Sequence, residues 1–297
     1  MTKFETPSPF QQEFQVIRKL NPDQFKTIRD MLYRHSGIYF NENKQYLLES
    51  RLNRRLNELN QDSIEEYLKY IEQPGNKQIE LSFLYNHVTI NETYFFRYAK
   101  QLNAFSAKII PALLSKKRAT GNNQLRIWSA ASSSGEEIYS IAMYLLESMG
   151  FSMKQWELDI FGTDISPKML ERAREAIYGC NSFRSPEPEH VRWVDKYFTK
   201  INGTQSLDQT IRSMVRFDYL NLNDSAAIRR LRGMDVIFCR NVLIYFDQPT
   251  KIRVINNLYE ILNPGGYLLL GEAESLHQLS SVFKVEHYPG AFVYKKE

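Results

Sequence analysis

The sequence predicts an α/β protein with a doubly wound, mostly parallel β-sheet, preceded by a small all-α N-terminal domain. From about residue 124, strand-like apolar segments alternate with amphipathic helical segments. Before that point, apolar residues recur at helical spacing. We therefore predict a helical domain over 1–90, a linker and lid helix over 91–123, and a sheet domain over 124–297. Prolines and an Asn-Gly turn at about 180–216 interrupt the alternation and indicate an inserted subdomain, a helix plus a small hairpin.

Composition narrows the class of protein. Of the 297 residues, 43% are hydrophobic and 24% charged, as in ordinary globular proteins. No apolar run approaches the roughly 18 residues that cross a bilayer, and residues 1–9 lack the apolar core of a signal peptide. The two cysteines, Cys180 and Cys239, lie far apart, which favours a reducing cytoplasm. A net charge of +4 is too small to indicate nucleic-acid binding. We therefore expect a cytoplasmic protein with no nucleic-acid partner and no direct membrane insertion.

The N-terminal domain contains two well-marked helices. The first is predicted to begin at Pro22 and to end at Gly37. The second spans about 44–59, and its apolar face comprises Leu47, Leu48, Leu52, Leu56 and Leu59. Its other face carries Arg51, Arg54 and Arg55. The sequence leaves open whether these arginines form a solvated face or a docking surface for an acidic partner.

The sheet domain shows the expected order of elements. Strands are predicted at about 125–131, 158–163, 234–239, 267–270 and 292–294. Helices are predicted at about 136–149 and 249–262, and Ser166-Pro167 begins another. A turn is predicted at Pro264-Gly265-Gly266.

The loop after the first strand is the strongest sign of a binding site. Residues 129–135 are small, and Glu136 and Glu137 begin the following helix. Dinucleotide-binding loops have three glycines, whereas this loop has Gly135 alone, and acidic residues at a helix start repel a pyrophosphate. We therefore expect the ligand to be a nucleoside without phosphates that carries positive charge or hydroxyls. S-adenosylmethionine fits this description. One of the two glutamates pairs with its ammonium group, unless both only complement the helix dipole.

Polar residues also follow the later strands, where open α/β sheets bind ligands. Asp164 ends the second strand and either accepts hydrogen bonds from ribose hydroxyls or stabilises the turn before Ser166. Asn221 and Leu222 follow a probable strand ending at Phe217, and the Asn221 amide either contacts an adenine edge or belongs to a polar loop.

Two further segments carry candidates. Arg240 and Asn241 appear abruptly after an apolar strand, which favours a site over a core role. Tyr245 either projects into the same cleft or packs in the core. The segment 91–97 has two phenylalanines between Asn91, Thr93 and Arg97, and is either a lid over the cleft or an interdomain packing segment.

Five blocks in this order resemble the CheR-type chemotaxis receptor methyltransferases. They are Asn91-Glu-Thr-Tyr-Phe-Phe-Arg97, Trp128-Ser-Ala-Ala with Ser134-Gly-Glu-Glu137, Phe161-Gly-Thr-Asp164, Phe238 to Phe246, and Leu262-Asn-Pro-Gly-Gly266. The resemblance extends from about Phe25 to the C-terminus. It implies an S-adenosylmethionine-dependent methyltransferase fold with an inserted small β-subdomain.

The resemblance also implies the roles of individual residues. Cofactor contacts are expected from Asn91, Thr93, Arg97, Glu137, Asp164, Asn221, Leu222, Arg240 and Asn241. Arg97 and Tyr245 are expected to assist at the reacting centre. The implied partners are cytoplasmic helical domains of methyl-accepting chemotaxis receptors, which are rich in glutamate, so the resemblance adds weight to receptor docking by Arg51, Arg54 and Arg55. The implied cofactor is S-adenosylmethionine, with no metal.

The implied chemistry suits these residues. A glutamate carboxyl, with a pKa of roughly 4.3, is already ionised at neutral pH, so methyl transfer needs no general base. Its main requirement is alignment of the attacking oxygen with the methyl carbon, about 3 to 3.5 Å apart. Two alternatives remain open: the acceptor differs, or the chain is a non-catalytic S-adenosylmethionine-binding regulatory module.

Overall fold

The computed structural model describes residues 18–89, 91–185 and 187–297. Residues 1–9, on which the signal-peptide prediction rests, lie outside these residues. The described chain forms a helical domain, a helical linker and a sheet domain with an inserted subdomain, as the sequence predicts.

The helical domain contains four helices: α1 Pro22–Ser36, α2 Gln45–Glu58, α3 Ile64–Glu72 and α4 Asn76–Val88. Asn21 begins α1 with a reciprocal capping box and Pro22 occupies its first turn, while Gly37 ends it at φ 74°. Of the predicted leucine stripe on α2, Leu48, Leu52 and Leu56 are fully buried. The amphipathic pattern therefore identified the core-facing side of this helix.

The linker is helical over most of its length: α5 Ala99–Ala104, a π-helical turn Phe105–Ile109, and α6 Ile110–Ala119. Pro111 lies in the first turn of α6. Proline has no N–H to donate, and its ring crowds the carbonyl four residues earlier. For this reason the turn before Pro111 is π-helical, which is wider than an α-helical turn. Phe95 and Phe96, just upstream, are buried.

The main sheet has seven strands: β1 Gln124–Ala130, β2 Glu157–Asp164, β6 Val215–Tyr219, β7 Met234–Cys239, β8 Leu262–Leu270, β9 Lys284–Tyr288 and β10 Ala291–Lys295. Their order is β6-β2-β1-β7-β8-β10-β9. Neighbouring strands among the first five in this order pair in parallel. Strand β10 pairs antiparallel with both β8 and β9. Helices α7 Glu136–Met149, α8 Pro167–Glu175, α11 Ser225–Arg229 and α12 Gln248–Ile261 connect them. The switch point of this order lies between β1 and β7, where the fold predicts a ligand.

Most predicted elements are confirmed, and the differences are local. The predicted turn at 264–266 lies inside β8, because α12 runs directly into this strand and a register shift absorbs the extra residues. The prediction also missed β9, whose sequence Lys-Val-Glu-His-Tyr is mostly exposed and lacks an apolar signal.

The inserted subdomain forms a separate three-stranded antiparallel sheet, β3-β5-β4. Its elements are β3 Ile177–Tyr178, α9 Pro188–Tyr197, β4 Phe198–Ile201, β5 Thr204–Leu207 and α10 Gln209–Arg212. The insertion thus contains the predicted helix and hairpin but begins near 177, because the two-residue strand β3 belongs to the small sheet. Phe95 contacts this subdomain through Tyr178 and Phe198, with ring centroids 4.8 and 5.0 Å apart.

Two further properties concern the described residues. None of their helices is both long and apolar enough to span a membrane. Both cysteines are free: Cys180 is exposed, whereas Cys239 is buried in β7 and its burial raises the pKa of the thiol. Cys239 therefore has little of the thiolate character that reactive cysteines need.

Candidate active site

A cavity of about 200 Å³ lies at the carboxyl ends of the central strands. One water needs roughly 10–15 Å³, so the space suits a larger ligand. Ten predicted residues from separate parts of the chain line it: Asn91, Thr93, Arg97, Glu137, Asp164, Asn221, Leu222, Arg240, Asn241 and Tyr245. The structure thus brings together every cofactor and catalytic candidate.

The loop between β1 and α7 forms one wall through strained backbone. Ala131 and Ser133 both line the cavity with positive φ, 61° and 50°. Such conformations are unfavourable for non-glycine residues and cluster at functional sites. On the neighbouring strand, a Cβ at Gly162 would lie 2.5 Å from the Ser132 hydroxyl oxygen. Small residues here let the backbone approach a ligand closely.

The two glutamates at the start of α7 differ in surroundings. Glu136 does not line the cavity and accepts hydrogen bonds from Ser134 and Ser182, at 2.7 and 2.9 Å. Glu137 lines the cavity and accepts one hydrogen bond from the Ser129 hydroxyl at 2.8 Å. Burial raises the pKa of Glu137, although nearby Arg240 opposes this shift. A cationic ligand group would compensate this partly buried charge.

Asp164 stabilises the turn before Ser166, which is one of its two predicted roles, and it also lines the cavity. Its Oδ1 accepts from the Ser166 N–H at 2.8 Å and its Oδ2 from the Ser133 N–H at 2.9 Å. The carboxylate therefore ties the β1 loop to the end of β2. Burial raises its pKa despite these bonds. Each oxygen retains a lone pair for a further donor, such as a hydroxyl.

Two arginines have unpartnered polar atoms at the cavity. Arg240 is 1% exposed, and its Nη1 lies 3.3 Å from Glu137 Oε2 without hydrogen-bond geometry. Its Nη2 donates to the Arg97 carbonyl at 2.5 Å, and burial lowers its pKa. Arg240 Nε, Arg97 Nε and the Ser133 hydroxyl are likewise buried without a partner. Because buried polar groups are normally paired, this set is suited to a polar ligand.

Tyr98 joins these groups, and the sequence analysis missed it. Its hydroxyl accepts from Asn241 Nδ2 at 2.9 Å and from Arg97 Nη2 at 3.3 Å. Its ring lies 4.5 Å from the guanidinium of Arg240. An aromatic residue directly after Arg97 was the available signal, but a tyrosine alone does not indicate that its ring contacts cations.

The helical domain closes one side of the cavity. Ser36, Ile38 and Thr89 line it. Ile38 forms an antiparallel bridge with Phe246, so the domain joins the loop that carries Tyr245. The cavity therefore lies between two domains.

The Asn221 amide differs from its predicted role at an adenine edge. Its Nδ2 donates to the His35 carbonyl at 2.5 Å and its Oδ1 accepts from the Asn223 N–H at 2.9 Å. The amide thus holds the C-terminal end of α1 against the cavity. A purine in this cavity would have to bond to the remaining N–H of the Asn221 amide or to neighbouring groups.

The three arginines predicted to dock a partner lie away from the cavity lining. Arg54 is 65% exposed and forms an ion pair with Glu58, while Arg51 is half-buried. Arg55 instead donates two hydrogen bonds to the fully buried Glu80, at 2.6 and 2.9 Å. The guanidinium of Arg55 is thus engaged inside its own domain, and docking by these arginines stays a prediction.

The residues of the cavity fit S-adenosylmethionine by charge and shape. Glu137 suits its ammonium group, the unpartnered N–H groups of Arg97 and Arg240 suit its carboxylate, and Asp164 suits its ribose. Among residues 18–89, 91–185 and 187–297, no group of three or more His, Cys, Asp or Glu side chains is placed to hold a metal.

Comparison with known proteins agrees with this site. A profile described as the CheR methyltransferase SAM binding domain matches residues 91–292, and one described as the CheR methyltransferase all-alpha domain matches residues 23–89. The chain is 36% identical to chemotaxis protein methyltransferase 2 of Vibrio cholerae over 92% of both chains. It is 34% identical to the chemotaxis protein methyltransferase of Borreliella burgdorferi, covering 90% of this chain and 93% of that one.

A third relative, chemotaxis protein methyltransferase 1 of Pseudomonas aeruginosa, is 34% identical over 91% of this chain and 97% of its own. The profile matches span both domains that form the cavity, and the relatives extend over nearly the whole chain. The chain therefore belongs to the CheR methyltransferase family and is an S-adenosylmethionine-dependent methyltransferase.

Proposed function

We propose that this enzyme transfers the methyl group of S-adenosylmethionine to glutamate side chains of chemotaxis receptors, acting in the cytoplasm on their helical domains. The observation that carries the proposal is the convergence of ten separated residues on one cavity that contains a buried carboxylate, a partly buried carboxylate and two arginines. The names of the relatives place similar enzymes in chemotaxis.

The transfer requires alignment rather than proton removal. The new bond joins a carboxylate oxygen of the acceptor to the methyl carbon, the carbon–sulfur bond breaks, and its electron pair stays on sulfur. An ionised glutamate supplies the oxygen directly, so the absence of a histidine or cysteine among the candidates agrees with this acceptor. The work of the protein is to orient the two groups and exclude water.

Arg97 and Tyr245 are proposed to act at the reacting centre. Arg97 is half-buried, and its Nη1 donates to the Glu92 carbonyl at 3.0 Å, while its Nε is buried without a partner. We assign it to anchoring the incoming carboxylate or the cofactor beside it. Tyr245 lines the cavity and is proposed to align the acceptor through its hydroxyl.

Receptor docking is proposed for the exposed part of α2. Arg54 and Arg51 remain available on this helix once Arg55 is assigned to Glu80. Receptor methylation regions rich in glutamate present the opposite charge, which steers encounter.

The test is incubation of the full chain with radiolabelled S-adenosylmethionine and receptor cytoplasmic fragments. We expect base-labile methyl esters on receptor glutamates. Label on another acceptor or a base-stable product would overturn the receptor assignment. Cofactor binding without transfer to the receptor fragments would also overturn it and would favour a regulatory role.

Variants test the two assigned residues. Arg97→Ala should weaken cofactor binding or turnover, and Arg97→Lys should restore only part of the loss because lysine lacks the planar fork. Tyr245→Phe should lower kcat while the affinity for S-adenosylhomocysteine stays unchanged. Unchanged affinity and turnover in Arg97→Ala would refute the role of Arg97, and unchanged kcat in Tyr245→Phe that of Tyr245.

A further inference from the structure

The loop after β7 carries three cavity residues, Arg240, Asn241 and Tyr245, and one of them has an unfavourable backbone conformation. Asn241 has φ 59°, in the left-handed region. Such a conformation persists only when neighbouring groups fix it. Groups that contact this loop must therefore fix its conformation.

The buried carboxylate of Glu274 contacts the loop directly. Its Oε2 accepts from the Asn241 N–H at 2.7 Å and its Oε1 from the Leu243 N–H at 2.9 Å. Oε2 also accepts from the Gly271 N–H at 2.8 Å. Glu274 is 5% exposed, and among the described residues it forms no ion pair. Three backbone donors thus hold its charge, as hydrogen bonds to ionised groups can.

The surroundings of Glu274 are shaped for this contact. A Cβ at Gly271 would lie 2.8 Å from Glu274 Oε2 and 3.0 Å from the Asn241 nitrogen. Only glycine leaves room for the carboxylate to reach the loop. Glu274 itself does not line the cavity, so it acts through the residues it holds.

From these contacts we propose that Glu274 is a positioning residue for the methyltransferase reaction, fixing the Arg240–Tyr245 loop in the conformation that binds the cofactor and aligns the acceptor. The Asn241 side chain then donates to Tyr98, whose ring contacts Arg240, so one carboxylate orders several cavity groups. This role does not depend on which acceptor is methylated.

The principal variant is Glu274→Gln, which keeps the shape but places an amide N–H₂ against backbone N–H donors. We expect the dissociation constant for S-adenosylhomocysteine, measured by calorimetry, to rise about tenfold or more. With a receptor fragment, kcat/KM should fall roughly 10- to 100-fold. Amide hydrogen exchange at residues 241–243 should accelerate. The matched control is Glu272→Gln, in the same turn but exposed, which should change none of these values by more than about twofold.

Two further variants separate positioning from general stability. Gly271→Ala keeps the Glu274 charge but inserts a methyl group between the carboxylate and the loop, and should reproduce the loss of affinity. Combining Glu274→Gln with Asn241→Ala should give less than the product of the separate losses, because both act through one loop. Wild-type affinity in Glu274→Gln, or losses that multiply, would overturn the proposal. Because affinity for S-adenosylhomocysteine needs no receptor, failure to methylate receptors would leave this test intact.

Discussion

Two arginine–glutamate pairs, one in each domain and each with one fully buried member, differ in how completely their polar atoms are hydrogen-bonded. In the helical domain, Arg55 and Glu80 share two hydrogen bonds of 2.6 and 2.9 Å, and the Tyr67 hydroxyl donates to Glu80 at 3.0 Å. In the cavity, Arg240 and Glu137 lie 3.3 Å apart, and two guanidinium nitrogens of Arg240 have no hydrogen-bond partner.

This difference in hydrogen bonding distinguishes a charged pair that stabilises a domain from one that is suited to bind a ligand. A buried pair in which each polar atom is bonded holds a domain together and has nothing left to offer a ligand. The cavity pair retains free donors and a carboxylate whose pKa is raised by burial. Both pairs combine the same two residue types, so hydrogen bonding rather than residue type distinguishes them.

The largest expected effect comes from breaking the satisfied pair. Arg55→Ala leaves Glu80 charged and fully buried, so the free energy of unfolding should fall by about 3–5 kcal/mol. Chemical denaturation of the full chain measures this. Arg54→Ala, on the exposed face of the same helix, is the control and should change stability by less than about 1 kcal/mol. Equal effects of the two variants would contradict the comparison.

The next effect comes from the open pair. Glu137→Gln removes the charge but keeps an oxygen for the Ser129 hydroxyl, and the affinity for S-adenosylhomocysteine should fall roughly tenfold to a hundredfold. Stability should change by less than about 1 kcal/mol, because the raised pKa shows that the folded protein disfavours this charge. Calorimetry and thermal unfolding give both values. Loss of stability with unchanged affinity would reverse the assignment.

The pH dependence sharpens the contrast. The pKa values of Glu137 and Asp164 are raised by burial, so both carboxylates take up protons at higher pH than exposed ones. As the pH falls below neutrality, the affinity for S-adenosylhomocysteine should therefore fall, because these carboxylates lose their negative charge at a higher pH than exposed ones. As the pH falls, the contribution of these two groups to the stability of the unliganded protein should become more favourable, because the folded state binds more protons than the unfolded state. In the Glu137→Gln variant, the affinity for S-adenosylhomocysteine should depend less steeply on pH than in the wild type. A pH-independent affinity would contradict this prediction.

The smallest effect concerns the docking face. Reversing Arg51 and Arg54 to Glu should lower the rate of receptor methylation about two- to tenfold at low salt, with a flatter salt dependence. Cofactor affinity should not change. Lys154→Glu with Arg230→Glu, at exposed sites elsewhere, makes the same change in net charge and should leave the rate near that of the wild type. Full activity of the Arg51 and Arg54 double variant would end the docking proposal.

Much of the fold could be predicted because its signals are local. The Pro22 start, the Gly37 end and the α7 bounds follow from capping residues and apolar spacing. Edge strand β9 and the two-residue β3 could not be predicted, since their pairing depends on partners distant in sequence.

The candidate site could be predicted as a set of residues but not as a network of contacts. Ten of its side chains were identified from their positions after strands and from the resemblance. Glu274 and Tyr98 were missed because their roles depend on contacts with residues 241 and 240, more than 30 and 140 positions away. Arg55 was assigned to docking because helical spacing places it on the polar face, whereas its partner Glu80 lies on another helix.

The backbone bridge between Ile38 and Phe246 makes the boundary between the two domains part of the cofactor chamber. Redirecting such an enzyme to a new receptor by grafting a foreign helical domain would therefore also alter the chamber. A productive chimera must retain both sides of this boundary, so under the docking role proposed for α2, receptor choice and methyl-donor binding would be inherited together.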